Sequence, residues 1–174
     1  VLEDKSDFIE NICGEVIAID DDINRCNISI NEKRMLLDYY SLWKSLDIPM
    51  ASKRTLSTSI FIGTFSGNFT ENQILELLIK NNEALADVAI DVVASEKRFT
   101  CAVIIAHNSI SEVCETTLKQ SGFSFLENAA PALASKSVEK LNAEISSLES
   151  EIIKLKDSLK NYLDRYDDIR FLGD

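Results

Sequence analysis

The chain has 174 residues, of which 45% are hydrophobic and only five are Gly and two are Pro, a composition that excludes a disordered chain and favours long regular elements. Lys and Arg number 18 against 29 Asp and Glu, so the net charge of −11 argues against a nucleic-acid-binding surface, which requires clustered positive charge. No apolar run is long enough to cross a membrane, and no signal peptide is visible. Because the first residue is Val1 and not Met, and both ends lie close to helical patterns, we interpret the chain as a piece of a longer protein.

A long helix is predicted over residues 6–46, because apolar residues recur there at alternating spacings of three and four. These residues are Ile9, Ile12, Val16, Ile19, Ile23, Cys26, Ile30, Leu37 and Tyr40, with one break at Lys33. No Pro interrupts the stretch, and Pro49 ends it. The spacing is typical of a coiled-coil seam, which is too narrow to bury itself, so the helix needs a long partner.

Residues 55–128 follow a different pattern, which predicts a small lobe of strands and helices. Residues 56–65 are rich in β-branched and aromatic side chains and are predicted to form a strand. Thr70 and Gln73 are spaced as a capping box, in which each side chain satisfies a free backbone amide at the start of a helix.

The second half of this region predicts two more strands, a helix and a last strand. Residues 85–94 alternate apolar and polar positions, which indicates a strand with one buried face, whereas residues 99–106 are apolar on both faces and indicate a central strand. Ser109 and the Glu three residues later are predicted to form a second capping box, and Gly122 to end that helix. Residues 123–126 complete a βαββαβ order, which is that of a ferredoxin-like sheet with two helices on one face.

A second long helix is predicted in the last third of the chain, after Pro131. Its apolar residues keep the three-four alternation for more than four heptads: Val138, Leu141, Ile145, Leu148, Ile152, Leu155, Leu159, Tyr162, Tyr166 and Ile169. If the region between the two long helices is one lobe, both helices leave it side by side and antiparallel. The alternative is that each helix pairs with another chain.

The predicted fold is therefore α+β, a long antiparallel two-helix coiled-coil arm carrying a ferredoxin-like βαββαβ lobe. We assign residues 1–48 to the first helix of the arm, residues 55–128 to the lobe and residues 135–172 to the second helix.

No catalytic, metal or cofactor site is predicted. His107 is the single His and is expected to be a partly exposed residue at a strand end, with no nucleophile or carboxylate pair beside it. Cys13, Cys26, Cys101 and Cys114 form no C-x-x-C pair, so we expect reduced thiols that behave as small hydrophobes. No Gly-rich phosphate-binding pattern occurs.

Three residues are candidates for contacts with a partner protein. Trp43 lies with Tyr39 and Tyr40 near the end of the first helix, where an exposed Trp would mark a partner contact and a buried one would belong to the packing of the lobe. Asp87 and Asp91 are expected to share the outward face of the sheet, where they are either a partner surface or simply its solvated face.

The order of these parts resembles the cytoplasmic part of subunit I (subunit a) of the V-type and A-type rotary ATPases. The stretches that carry the resemblance are LLDYYSLWKSLDIP before the lobe, SGFSF at its end, the linker with Pro131, and VEKLNAEISSLESEIIKLKDSL in the final helix. The resemblance spans essentially the whole chain.

The resemblance implies a mechanical role. In that family the cytoplasmic arm holds the peripheral stalk subunits E and G against rotor torque, and a separate membrane domain translocates protons or sodium ions. It therefore implies a non-catalytic stator fragment, without cofactors, at the cytoplasmic face of a membrane complex. The residues leave two alternatives open: a ferredoxin-like module that senses a small metabolite, and a dimeric coiled-coil adaptor.

Overall fold

A computed structural model of the protein describes residues 2–127 and 129–171. The chain divides into two compact units, Val1–Leu37 with Lys140–Asp174, which we call the helix-pair unit, and Asp38–Glu139, which we call the lobe. The long helices are α1, Leu2–Leu42, and α4, Ala134–Phe171. Of Ile169, a predicted seam residue, only the backbone is described, and the predicted limits at residues 1, 128 and 172 lie outside the described residues.

The two long helices pack against each other within one chain in the helix-pair unit. Their seam is formed by side chains at the predicted positions, with Ile23, Cys26, Ile30, Ile145 and Ile152 buried and Ile19, Leu37, Leu148 and Leu155 partly buried. Each Ile buried in this way contributes about 1.5–3 kcal/mol relative to an exposed one. The internal pairing predicted from the three-four spacing is therefore confirmed.

Polar contacts establish that this pairing is antiparallel. Lys33 Nζ lies 2.7 Å from Glu144 Oε2, near the start of the α4 part of the unit. Toward the other end, the neighbouring Glu15 carboxylate raises the pKa of Tyr162. Early residues of α1 thus lie beside late residues of α4, as expected.

The side chains of the seam are more exposed at the end formed by the start of α1 and the end of α4. Ile9 is 43% exposed and Tyr166 is 41% exposed, although both occupy seam positions in the sequence. A two-helix pair buries only a narrow stripe, so residues at its margins keep much of their surface in water.

The lobe contains a four-stranded antiparallel sheet with strand order β2-β3-β1-β4. Its elements in chain order are β1, Thr58–Ser66; α2, Glu71–Asn81; β2, Ala89–Ser95; β3, Phe99–His107; α3, Ser111–Gln120; and β4, Phe123–Phe125. This is the predicted ferredoxin-like order, in which each helix connects two strands that flank a third. The α+β fold class is confirmed.

Both faces of the sheet are covered by apolar residues. On one face, Phe65 and Ile104 pack with residues of α2 and α3, including Leu78. On the other face, Val103 and Ile62 pack with a second cluster. The strand β3 is therefore buried on both sides, as its continuous apolar sequence predicts.

The second cluster corrects the predicted end of the first helix. We expected a helix to about residue 46, but α1 ends at Leu42. Trp43, Leu46 and Met50 follow in turns and irregular chain and are buried against the sheet together with Ala134. The helix ends before Pro49 because its next apolar residues pack on the lobe.

One predicted helix cap is confirmed and the other is wrong. Thr70 N donates to Gln73 Oε1 at 2.9 Å, and Gln73 N donates to Thr70 Oγ1 at 3.3 Å, which is the expected capping box. The helix α3 begins at Ser111, two residues later than Ser109, and its N-cap residue makes no side-chain hydrogen bond. The reason is that Ser109 belongs to a 3₁₀ turn over Asn108–Ile110. Gly122, with φ of +81°, follows the end of that helix as predicted.

Candidate functional site

Residues 53–58, here called the tip loop, form a tight hairpin with the start of β1. Arg54 pairs with Ser59 in an antiparallel bridge, and Ile60 N donates to the Lys53 carbonyl at 2.9 Å. Thr55 N donates to the Thr58 carbonyl at 2.7 Å and closes the turn. The predicted strand over residues 56–65 therefore begins two residues late, because residues 56 and 57 form the end of a hairpin.

Asn108, directly after β3, fixes the backbone of the tip loop. Its N–H donates to the Ser57 carbonyl at 2.9 Å, and its Nδ2 donates to the Leu56 carbonyl at 3.1 Å. Its Oδ1 accepts from Ser59 Oγ at 2.8 Å and from Arg54 Nε at 3.3 Å. The turn is thus held by several hydrogen bonds that do not depend on the side chain of Leu56.

Leu56 projects into solvent from this fixed turn. Its relative exposure of 104% is the highest among the large hydrophobic residues that the structure describes. Burying such a side chain is worth about 1.5–3 kcal/mol, and here none of that free energy contributes to the fold. The sequence places this Leu among Thr and Ser residues, where it gives the appearance of a strand position.

The tip loop lies in a stretch of the chain that has no acidic residue. Residues 48–70 contain Lys53 and Arg54 but no Asp or Glu, and residues 97–111 also contain no acidic residue, although the chain has 29. Lys53 and Arg54 are both exposed. A partner that approaches this end of the lobe therefore meets positive charge beside an exposed apolar side chain.

An open cleft of about 850 Å³ lies beside the tip loop, within the lobe. Its lining comes from residues 50–54, residues 59–62 of β1, the first turns of α3, residues 125–127 and Ala129. Its charged lining residues are Lys53, Arg54, Glu115 and Glu127, and Glu115 is paired with Lys119 at 2.7 Å. The cleft therefore combines charges of both signs with apolar walls.

Two serine hydroxyl groups of the cleft, those of Ser59 and Ser111, are not paired with a general base. Ser59 Oγ donates to Asn108 Oδ1, and Ser111 Oγ donates to the Asn108 carbonyl at 3.0 Å. An activated serine requires a general base as its partner, and an amide or backbone carbonyl is not one. The chemistry of the described lining suits binding.

His107 has a local structural role. It is exposed at the end of β3, as predicted. Its Nδ1 accepts from Ser109 N at 3.2 Å and lies 2.8 Å from Ser109 Oγ. These contacts cap the 3₁₀ turn that precedes α3 and account for the missing capping box at Ser109.

Three of the four cysteines behave as predicted. Cys26, Cys101 and Cys114 are buried, one in each apolar cluster. Burial raises the pKa of the Cys114 thiol to about 11, and burial together with the nearby Glu96 raises the pKa of Cys101 to about 11. Cys13 is exposed on α1 and so does not pack as a small hydrophobe.

The predicted partner-contact residues do not come together. Trp43 is 0% exposed within the second cluster of the lobe, and a side chain without exposed surface cannot contact a partner, so Trp43 is a core residue. Asp91 is exposed on the edge strand β2, where it pairs with Val103. Asp87 is exposed in a turn before β2, so it is not a strand position on the face of Asp91.

Two further features of residues 2–127 and 129–171 are the grouping of metal-ligating side chains and the length and hydropathy of the helices. In this part of the chain, His, Cys, Asp and Glu side chains form no group of three or more that could hold a metal ion. None of the described helices combines the length and the hydropathy needed to cross a bilayer.

No protein-family model matches this chain, and no curated protein matches it. Among solved structures, it is similar to one described as the cytoplasmic N-terminal domain of subunit I, homolog of subunit a, of V-ATPase. The similarity has a TM-score of 0.45 at 15% sequence identity and covers 92% of this chain. The matched region covers 50% of the length of that structure.

Proposed function

We propose that this chain is a non-catalytic stator fragment of a rotary V-type ATPase, the cytoplasmic arm and distal lobe of subunit I (subunit a). In this role it binds the peripheral stalk formed by subunits E and G and resists the torque of the rotor. The chain then acts at the cytoplasmic face of a membrane complex that transports protons or sodium ions, and ion translocation takes place elsewhere in the complex.

The observation that carries the proposal is the antiparallel seam of the helix-pair unit. Two long helices of one chain share buried residues such as Ile30 and Ile145, and the ion pairs Lys33–Glu144 and Arg34–Glu149 cross the seam. Bending such a pair requires its packed side chains to separate, so it resists deformation better than a single helix. This is a property that a stator requires and that an enzyme of this size does not.

The order of elements and the chemistry of the lobe support the same role. The order helix, βαββαβ lobe, helix is the feature on which the sequence resemblance rests. The hydroxyl groups of Ser59 and Ser111 donate to an amide and a backbone carbonyl instead of a general base. The lobe also exposes the large apolar side chain of Leu56, which a partner protein could bury.

The proposal is tested by binding to a purified heterodimer of stalk subunits E and G. Size-exclusion chromatography with light scattering is expected to show a complex of one chain with one heterodimer at low salt. The substitution Ile152→Asp, in a seam residue that is 8% exposed, is expected to separate the helices and weaken the complex. The matched control is Ile153→Asp, because Ile153 is the next residue in the chain, is 61% exposed and lies outside the seam.

Two results would count against the proposal. Absence of association between the wild-type chain and the heterodimer at low salt would reject the stator function. Equal binding by the Ile152 and Ile153 variants, with the helix pair of the first shown to be disrupted by circular dichroism, would reject the role of the seam.

A second candidate function is the binding of a small metabolite, favoured by the cleft of about 850 Å³ in the lobe. Ligand pockets of drug-sized molecules span about 300–1,000 Å³, so the cleft is large enough. A ligand present at about 100 times its Kd would stabilise the lobe by about 2.7 kcal/mol, which a thermal-shift screen of amino acids and nucleotides detects.

The dimeric adaptor is less well supported. Its premise is that each seam pairs with another chain, whereas the residues of the seam on α1 already pack against those on α4 of the same chain. Light scattering of the isolated chain decides between the two, and we expect a monomer.

A further inference from the structure

We propose that Leu56 is a docking anchor that inserts into an apolar pocket with an acidic rim on the stalk heterodimer. This inference rests on the proposed function and assigns part of its contact surface to the tip loop, residues 53–58. The candidate surface is distinct from Trp43, Asp87 and Asp91, the residues that the sequence indicates.

The fixed backbone of the tip loop suits an anchor, because an anchor side chain is most effective when its loop does not have to be ordered on binding. Here Asn108 donates to the carbonyls of both Leu56 and Ser57, and Thr55 closes the turn through its N–H. Thr55 Oγ1 additionally accepts from Thr58 N at 3.0 Å. These hydrogen bonds hold the backbone of Leu56 in place without a partner.

The complete exposure of Leu56 leaves its whole apolar surface available for binding. A Leu that inserts into a pocket contributes to affinity in proportion to the apolar surface it loses, and this side chain, at 104% relative exposure, has all of its surface to lose. Neighbouring β1 residues such as Ile60 and Ile62 are at least partly buried in the lobe. Leu56 is therefore a single apolar projection on a packed base, and its side chain is free to enter a pocket on a partner.

Charge identifies the chemistry of the partner. Lys53 and Arg54 are exposed in the same loop, within a stretch, residues 48–70, that lacks Asp and Glu. The acidic residues lining the adjacent cleft are Glu127 and Glu115, and Glu115 is paired with Lys119. A pocket surrounded by carboxylates would be steered toward this end of the chain and repelled by the acidic remainder, since the net charge is −11. The complementary surface is therefore apolar at its centre and acidic at its rim.

A protein partner fits better than a membrane. Stable binding to an anionic lipid surface requires a larger apolar insertion or a cluster of about four to eight cations, as in polybasic segments. The tip loop has a single exposed Leu with Lys53 and Arg54 beside it. These groups suffice for one pocket on a protein and give only marginal affinity for a bilayer.

The test measures the Kd of the chain for the immobilised E and G heterodimer by biolayer interferometry. Leu56→Ala is expected to raise the Kd about 10- to 100-fold, the range that corresponds to loss of one buried Leu side chain. The control Ile153→Ala removes a large exposed apolar side chain from α4 and is expected to leave the Kd unchanged.

Two further variants test the hydrogen bonds that hold the tip loop and the positive charge beside Leu56. Asn108→Ala retains Leu56 but removes the side-chain bond to its carbonyl, and is expected to raise the Kd by a smaller factor than Leu56→Ala. Lys53→Glu is expected to raise the Kd and to weaken its salt dependence, whereas Lys80→Glu, the same charge change on exposed α2 surface, is expected to have no effect. Circular dichroism verifies that each variant is folded.

The outcomes separate this inference from the proposed function. No binding of the wild-type chain to the heterodimer would overturn both. Binding of the wild-type chain with an unchanged Kd for Leu56→Ala would overturn the docking anchor and leave the stator role intact. Leu56-dependent binding to vesicles of phosphatidylcholine and phosphatidylserine, with no Leu56 dependence toward the heterodimer, would replace the protein partner by a membrane.

Discussion

Alanine in place of Gly63 tests how closely β1 and β4 approach each other. Gly63 pairs with Phe125 in the sheet. A Cβ atom at this position would overlap the carbonyl oxygen of Ser124 and lie 2.8 Å from two ring carbons of Phe123, whereas ordinary contacts are 3.4–4 Å. The new methyl group can be accommodated only if β4 moves away from β1.

The expected cost follows from the identity of the obstructing atoms. Overpacking a core by one or two methyl groups costs about 1–3 kcal/mol. Because the nearest obstruction at Gly63 is backbone, which cannot rotate away, we expect the upper end, about 3 kcal/mol. For a unit the size of the lobe, about 100 residues, each 1 kcal/mol lowers Tm by about 4–8 °C, so Gly63→Ala is expected to lower it by about 12–24 °C.

Two other glycines provide matched controls for the same substitution. A methyl group added at Gly122 would meet none of the described residues within 4 Å, but φ there is +81°, so Gly122→Ala is expected to cost only about 1 kcal/mol of backbone strain. Gly14 lies inside α1, where an added methyl group is equally free of described neighbours within 4 Å, so Gly14→Ala is expected to stabilise the helix by about 1 kcal/mol. Calorimetry and urea unfolding monitored by circular dichroism measure all three.

We expect an order of stability in which Gly14→Ala is the most stable of the three variants and Gly63→Ala the least. A Gly63→Ala variant within about 0.5 kcal/mol of Gly122→Ala would show that β4 yields easily, and would refute the close packing of β1 against β4.

Three further predictions concern local features. Thr70→Ala removes the hydroxyl of the capping box and is expected to destabilise the lobe by about 1 kcal/mol in thermal unfolding, with little effect from alanine at the exposed Asn72. The hydrogen bond from Lys33 holds the pKa of Glu144 below its usual 4.5. The pair therefore stabilises the fold above pH 4.5, and this stabilisation is lost as the pH falls through the folded-state pKa. Glu144→Gln is expected to flatten the acid side of a plot of Tm against pH, and an unchanged plot would contradict the pairing. A maleimide at neutral pH is expected to label Cys13 rapidly and the three buried thiols only after unfolding, as intact-mass spectrometry of wild type and Cys13→Ser can verify.

Features that depend on near neighbours in the chain could be predicted from the sequence. The seam of α1 and α4, the capping box at Thr70 and the βαββαβ order each follow from spacings of a few residues. Apolar residues that recur every three to four positions indicate the apolar face of a helix, and those that recur every two positions indicate that of a strand. The type and order of the elements can therefore be predicted without knowledge of their contacts.

Features that depend on distant residues could not be predicted. Trp43 was a partner-contact candidate because the sequence does not show that it belongs to one buried cluster with Ala134, far along the chain, and with residues of the sheet. The capping box at Ser109 failed for a local reason instead, because the neighbouring His107 accepts from the Ser109 N–H and contacts its hydroxyl. Spacing alone does not decide between two local partners of one serine.

The tip loop shows the same division between local and distant information. The sequence by itself determined the long amphipathic helices, the strands and the charge of the chain, because these depend on residue type and spacing. Only the tertiary structure decided that Leu56 is exposed, because its turn is held by Asn108, which lies 52 positions further along the chain. Hydrogen bonds across such separations form only after the strands have paired, and no local pattern records them.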